Sequence, residues 1–281
     1  TCALPIFSTY GTEFYRKATH GEGFIRGFFN VIKSATTGTG AALERLFITG
    51  VSPVTMDDVT SGFNIGTNIT NDSWFNDLVG FSENELREML EYYKEQGVLQ
   101  ESIDEIVAMM KPNYDNYCFS EDTLEQCMFN SDMALYFLKS FVLHHKKPKE
   151  IVDPNIRTDF NKLAYLIKLD HGLGENFSVI KEIAEQGEII TDIVTHFSAL
   201  EMTDPSNFKS LLFYFGLLSI KGVDMVGRPI LHVPNLVVRE QLFNFLIQGY
   251  IKHDIFKIDM NKMSALFENM AFRGDWKPLF D

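Results

Sequence analysis

RLFITGVSPVTMDDVTSGFN, residues 45–64, is the stretch from which the rest of the chain takes its reading. Leu46, Phe47 and Ile48 read as a short buried strand. The sequence then turns abruptly small and polar, with Thr49, Gly50, Ser52 and Pro53 at once and Asp57, Asp58, Thr60 and Ser61 beyond. An apolar strand that runs into hydroxyls brings polar groups to the carboxyl edge of a parallel sheet, where α/β proteins bind ligands. The same pattern also fits a core strand followed by an ordinary surface loop. Upstream, residues 24–34 space Phe24, Phe28, Val31 and Ile32 as one helical face, and TTGTG at 36–40 ends that helix. Helix, turn and strand in this order form half of a βαβ unit, whose first strand would lie at or before residue 1.

Downstream the signals are mostly helical. Ser82 and Glu85 make a capping box, with Phe81 and Leu86 placed as its hydrophobic staple. Leu86, Met89, Leu90 and Tyr93 continue one apolar face until Gly97. Residues 102–110 turn Ile103, Ile106, Val107 and Met110 inward until Pro112, and residues 130–141 read as a further helix. After residue 160 the expected order is helix (160–169), helix (177–186), strand (188–193), a helix capped by Asp204 or Ser206, two strands (217–221 and 229–233) joined by VDMVGR, and a closing helix (236–251). Helices followed by a two-stranded wing suggest a winged-helix-like module. Such modules often read DNA through their third helix. Here that helix is NFKSLLFYF, with Lys209 as its one cation, so a buried structural helix is expected and no direct nucleic-acid readout. The closing helix carries Leu242, Phe243, Phe245, Leu246 and Ile247, a breadth that implies burial on more than one side.

Composition narrows the functional classes. A chain of 281 residues has room for a sizeable core and two modest domains. No run of about 18 apolar residues occurs, so no membrane span is expected. The net charge of −13, from 38 acidic and 25 basic side chains, counts against a nucleic-acid-binding surface. HHKKPK at 144–149 is a local basic exception, read as a solvated loop because Pro148 interrupts it and Glu150 follows. Cys2, Cys118 and Cys127 form no C-x-x-C pair, which points to a reduced, cytoplasmic compartment, no disulfide framework and no zinc site. The beginning TCALPIF is neither a signal nor a transit peptide. With the end DWKPLFD, it suggests an internal stretch of a longer protein.

ITGVSPVTMDDVTSGFNI resembles the signature of the AAA-ATPase-like family, bacterial P-loop proteins usually followed by a PD-(D/E)XK-type nuclease domain. FNDLVGFSENELREML (75–90) is similar to the segment after that signature. YDNYCFS (114–120) resembles the family's Y-x-G-Y-x-F-S box, with Asn116 where glycine is usual and Cys118 where arginine is. LLFYFGLLSIKG (211–222) and VPNLVVREQLF (233–243) resemble its later helix, hairpin and helix. The resemblance implies ATP and Mg²⁺ as cofactors of the intact protein and a nuclease-like domain downstream. It does not supply the phosphate loop. TGTG follows a helix and precedes no lysine, and no G-x-x-x-x-G-K-[ST] occurs anywhere in the 281 residues.

The nucleotide contacts that remain are Thr49 and Ser52. In P-loop proteins a polar residue on the strand beside the magnesium-holding one senses the γ-phosphate, and by position either hydroxyl fits that role. Each also fits a local one, Thr49 as a strand cap and Ser52 as the start of an ST-turn. Asp57 and Asp58 read as loop residues bonding nearby amides rather than as metal ligands. YDNYCFS could stack a nucleobase or clamp a loop between helices, and loop packing is the preferred reading. Asp275-Trp276-Lys277 lacks the strand and the earlier aspartate of a nuclease core.

The expected fold is therefore mostly α with a small α/β portion. Residues 1–80 would be the C-terminal part of a P-loop NTPase core, 81–155 a helical lid and 156–281 the winged-helix-like domain. No catalytic or metal-ligating residue is assigned within the chain, and no bound cofactor is expected. The alternative is an acidic helical module that docks a protein partner without nucleotide chemistry.

Overall fold

A computed structural model describes residues 20–36, 38–50, 66–153, 174–195, 201–253 and 260–280, with Glu13, Lys17, Ala18 and Phe197. The described chain is mostly helical, with one small antiparallel sheet. No helix among the described residues is long and apolar enough to cross a membrane.

Local chemistry sets the helix starts. Ser82 Oγ accepts the Glu85 N–H while the Glu85 carboxylate takes the Ser82 N–H at 2.8 Å, the expected capping box at the head of helix α2 (Glu83–Glu95). Those hydrogen bonds hold the Glu85 carboxyl below its ordinary range, the bond from the Ser82 backbone first. Leu86 and Leu90 on its inner face are fully buried, and Phe81 packs into the same core. Gly97 turns the chain beyond the helix at φ +70°. Helix α3 (Ile103–Tyr114) buries Ile106, Val107 and Met110. It runs two residues past Pro112. The proline removes an N–H for the Ala108 carbonyl, but Ala108 is exposed, so water can serve that group, and buried Tyr114 pins the last turn. Helix α4 (Ser131–His144) starts on Asn130, whose Oδ1 accepts the Met133 N–H. Together α2, α3 and α4 enclose one core, in which Phe137 meets Tyr114 edge-on and stacks on Phe141.

A second core gathers helix α5 (Glu175–Gln186), strand β1 (Glu188–Ile190), helix α6 (Pro205–Tyr214), the hairpin of β2 (Ser219–Val223) and β3 (Pro229–His232), and helix α7 (Leu236–Lys252). The sheet order is β1-β3-β2, antiparallel throughout, with Ile189 opposite Leu231 and Ile220 opposite the same Leu231. Asp224 builds the hairpin turn. Its carboxylate accepts the N–H groups of Val226 and Arg228, and Gly227 supplies φ +84°. Asp204 caps α6, which buries Phe208, Ser210, Leu211, Leu212 and Phe213, as NFKSLLFYF implied. Helix α7 serves both cores: Val237 enters the first, while Val238, Leu242 and Leu246 enter the second. Phe243 stays outside, 40% exposed. Helices α8 (Met260–Arg273) and α9 (Lys277–Phe280) close the chain.

Two expectations at the N-terminal end are corrected. Helix α1 (Phe24–Thr36) forms, but the buried stripe is Ile25 and Phe29, with Ile32 packed beside them on the second core. Phe24, Phe28 and Val31 lie more than half exposed. Both stripes are apolar at helical spacing, so periodicity cannot choose between them. Leu46, Phe47 and Ile48 are not a strand. They have no ladder partner among the described residues, and their side chains are exposed, Phe47 at 65%. A strand exists only when a neighbour satisfies its N–H and C=O groups, and three apolar residues do not supply that neighbour. The expected helix at 160–169, and Ser52, Asp57, Asp58, Thr60 and Ser61, lie outside the described residues.

Candidate functional site

Of the two hydroxyls singled out from the sequence, only Thr49 lies among the described residues. Thr49 stands exposed in irregular chain, and Ser52 falls outside. The stretch that does organise its surroundings is Tyr114–Ser120. Tyr114, Tyr117 and Cys118 are all buried, and Phe119 is half-buried against the second core, so the aromatic rings of the stretch pack inward. The segment is held as a short ladder: Tyr117 exchanges both backbone hydrogen bonds with Met128, and Phe81 does the same with Phe129.

Asn116 is the pivot of this segment. Its φ is +74°, in the left-handed region, where asparagine is tolerated and glycine favoured. Its own N–H donates to Asp115 Oδ1 at 2.7 Å, and its side-chain Nδ2 reaches the Pro234 carbonyl at 3.0 Å. Asn235 answers from the other side. Its Oδ1 caps α7 by accepting the Val238 N–H, and its Nδ2 donates to the Asp115 carbonyl at 3.1 Å. Burial pushes the Tyr117 hydroxyl above its ordinary pKa, with the Asn235 and Asn130 side chains opposing the rise. Burial likewise raises the Asp115 carboxyl, with the Asn116 N–H opposing it.

Cys118 occupies the position where the resembled box has arginine. Its N–H donates to Ser219 Oγ at 2.7 Å, and its thiol lies 3.0 Å from the Ser120 carbonyl. Burial raises its pKa. A thiol shut from solvent and held protonated is a packing group, not a nucleophile.

Beside this junction a groove of about 430 Å³ runs between the end of α5 and the start of α7. Ile183, Val233 and Leu236 give it apolar walls, and Arg239 and Glu185 supply charge of both signs. The Arg239 guanidinium lies 5.9 Å from the centre of the Phe243 ring. The junction as a whole fixes the helical core against the sheet-bearing core; it holds no acid–base pair aimed at a common point. Asn235 was passed over in the sequence, although an asparagine immediately before an apolar run is a helix-start signal that could have found it. Ser219 carried no such signal, since its partner lies 101 residues away.

No family model, curated protein or solved structure matches the chain.

Proposed function

We propose that these 281 residues are the sensor, lid and winged-helix region of an AAA-ATPase-like cytoplasmic protein. In the intact protein ATP and Mg²⁺ are held by Walker segments that this sequence does not contain, and ATP binding or hydrolysis controls an attached nuclease-like domain. The region itself is not catalytic. The observation that carries the reading is the backbone of Asn116. The Y-x-G-Y-x-F-S box wants glycine at its third position, and the equivalent residue here has φ +74°, a conformation that explains why glycine is usual there. The order helix, strand, helix, hairpin with β1-β3-β2 pairing supports a winged-helix module in its topology. The burial of α6 argues for a module that packs rather than one that reads a DNA groove.

In this reading Thr49 or Ser52 donates a hydrogen bond to the γ-phosphate or to the attacking water, positioning it rather than binding the nucleotide. The test is equilibrium binding of a fluorescent ATP analogue with Mg²⁺, to these 281 residues and to the complete encoded protein. Micromolar binding is expected only for the complete protein. There, Thr49→Ala combined with Ser52→Ala should slow hydrolysis while leaving analogue affinity nearly intact. Micromolar binding by the 281 residues alone, or none by the complete protein, refutes the proposal.

A further inference from the structure

Two short 3-10 turns, Ser73–Phe75 and Glu121–Thr123, lie side by side at the rim of the junction. The first carries apolar side chains into solvent: Trp74 is 88% exposed, Leu78 and Val79 just over half, and Phe75 40%. On the two turns and the residues that flank them stand Asp72, Asp77, Glu121, Asp122 and Glu125, all exposed. None of these carboxylates has an ion-pair partner among the described residues. Residues 66–80 and 112–130 contain no lysine, arginine or histidine at all.

The backbone beneath is fixed. Asn76 is buried, donating to the Gln126 carbonyl at 2.9 Å and accepting the Phe119 N–H at 3.1 Å. Asn71 donates to the Phe119 carbonyl at 3.1 Å. Gly80, at φ +94°, closes the loop where a Cβ would fall 2.8 Å from the Phe129 carbonyl oxygen. A loop already ordered loses little further freedom on binding, and tryptophan is the residue type that most often anchors an interface. An apolar tip amid unpaired carboxylates is complementary to a surface that brings both an apolar side chain and cations. Phosphates would be repelled.

We propose that these paired turns are a docking surface for a lysine- or arginine-rich polypeptide segment that inserts an apolar side chain against Trp74. The chain has two tryptophans, so Trp276→Phe leaves Trp74 as the sole reporter. The probe is the heptapeptide Lys-Leu-Leu-Lys-Leu-Leu-Lys. It should shift Trp74 emission to the blue in a saturable way that weakens in about 1 M salt, where charges are screened within about 3 Å. Affinity should fall about tenfold or more for the peptide with serine in place of leucine. A similar fall is expected for the chain carrying D72N, D77N, E121Q, D122N and E125Q. Trp74→Ala, read by anisotropy of a labelled peptide, should cost as much with Tm unchanged, because the ring packs on little. The proposal is overturned by no shift with the lysine peptide, or by equal binding of the glutamate-leucine counterpart. It is also overturned if duplex DNA gives the same shift, or if sedimentation shows a dimer that Trp74→Ala abolishes, making the occupant a second copy.

Discussion

Ser219 Oγ accepts the Cys118 N–H at 2.7 Å and lies 3.4 Å from the Cys118 carbonyl, so one hydroxyl serves both backbone groups of a residue 101 positions earlier. Both residues are 1% exposed. Ser219→Ala therefore leaves a buried N–H without an acceptor, which costs roughly 1–3 kcal/mol, more than the bond itself contributes net. Urea unfolding should show that loss in the midpoint with an unchanged slope. An unchanged midpoint would mean that another group or water takes over the Cys118 amide.

Asn116 offers a paired test. Asn116→Gly relieves the left-handed backbone but gives up the bond to Pro234. These terms are each about 1 kcal/mol and opposite in sign, so stability should change by less than about 1 kcal/mol. Asn116→Ala keeps the strain and loses the bond, so about 1 kcal/mol of destabilisation is expected, with nothing to offset it. Equal effects of the two substitutions would show that the backbone conformation is unimportant.

Gly249 sits on α7 where a Cβ would fall 2.5 Å from Phe177 Cε2. Phe177 is 4% exposed, with the Tyr250 ring against it at 5.2 Å. Replacing a helical glycine by alanine gains about 1 kcal/mol in propensity, while overpacking a core costs about 1–3 kcal/mol. Gly249→Ala should be net destabilising, and Phe177→Leu in the same chain should recover part of the loss. Thermal melts of the single and double variants read this directly.

His232 on β3 is half-buried, and burial lowers its pKa from the ordinary 6.5, with the Lys221 charge adding to the effect and Glu188 opposing it. The unfolded chain therefore binds this proton more readily than the folded one. The contribution to stability is complete above the unfolded value and is lost as pH falls through 6.5 toward the folded value. Denaturation midpoints measured from neutral to mildly acid pH should decline over that window, and His232→Gln should flatten the decline. A slope that survives the substitution would assign the effect to other groups.

The parts of the fold legible from the residues are those decided within one or two turns of chain. Ser82 with Glu85, Asp204, and the VDMVGR hairpin each carry their hydrogen-bond partners within a few positions, so the local sequence contains both halves of the interaction. The apolar faces of α2 and α3 were legible because each has a single stripe. Helix α1 has two, and the choice of Ile25 and Phe29 over Phe24 and Phe28 was made by the second core to which it docks.

What the sequence alone determined is therefore the order of helices α1 to α7 and the sheet-forming hairpin, since caps, turns and periodicity are short-range physics; α8 (Met260–Arg273) and α9 were not read from it. Tertiary structure decided that 45–50 is exposed irregular chain, because strand pairing is a property of two segments and not of one. It also made YDNYCFS a junction, through Asn116 to Pro234 and Cys118 to Ser219, partners more than a hundred residues distant. Burial and hydrogen bonding at that range depend on which surfaces meet, and no single window of residues carries that information.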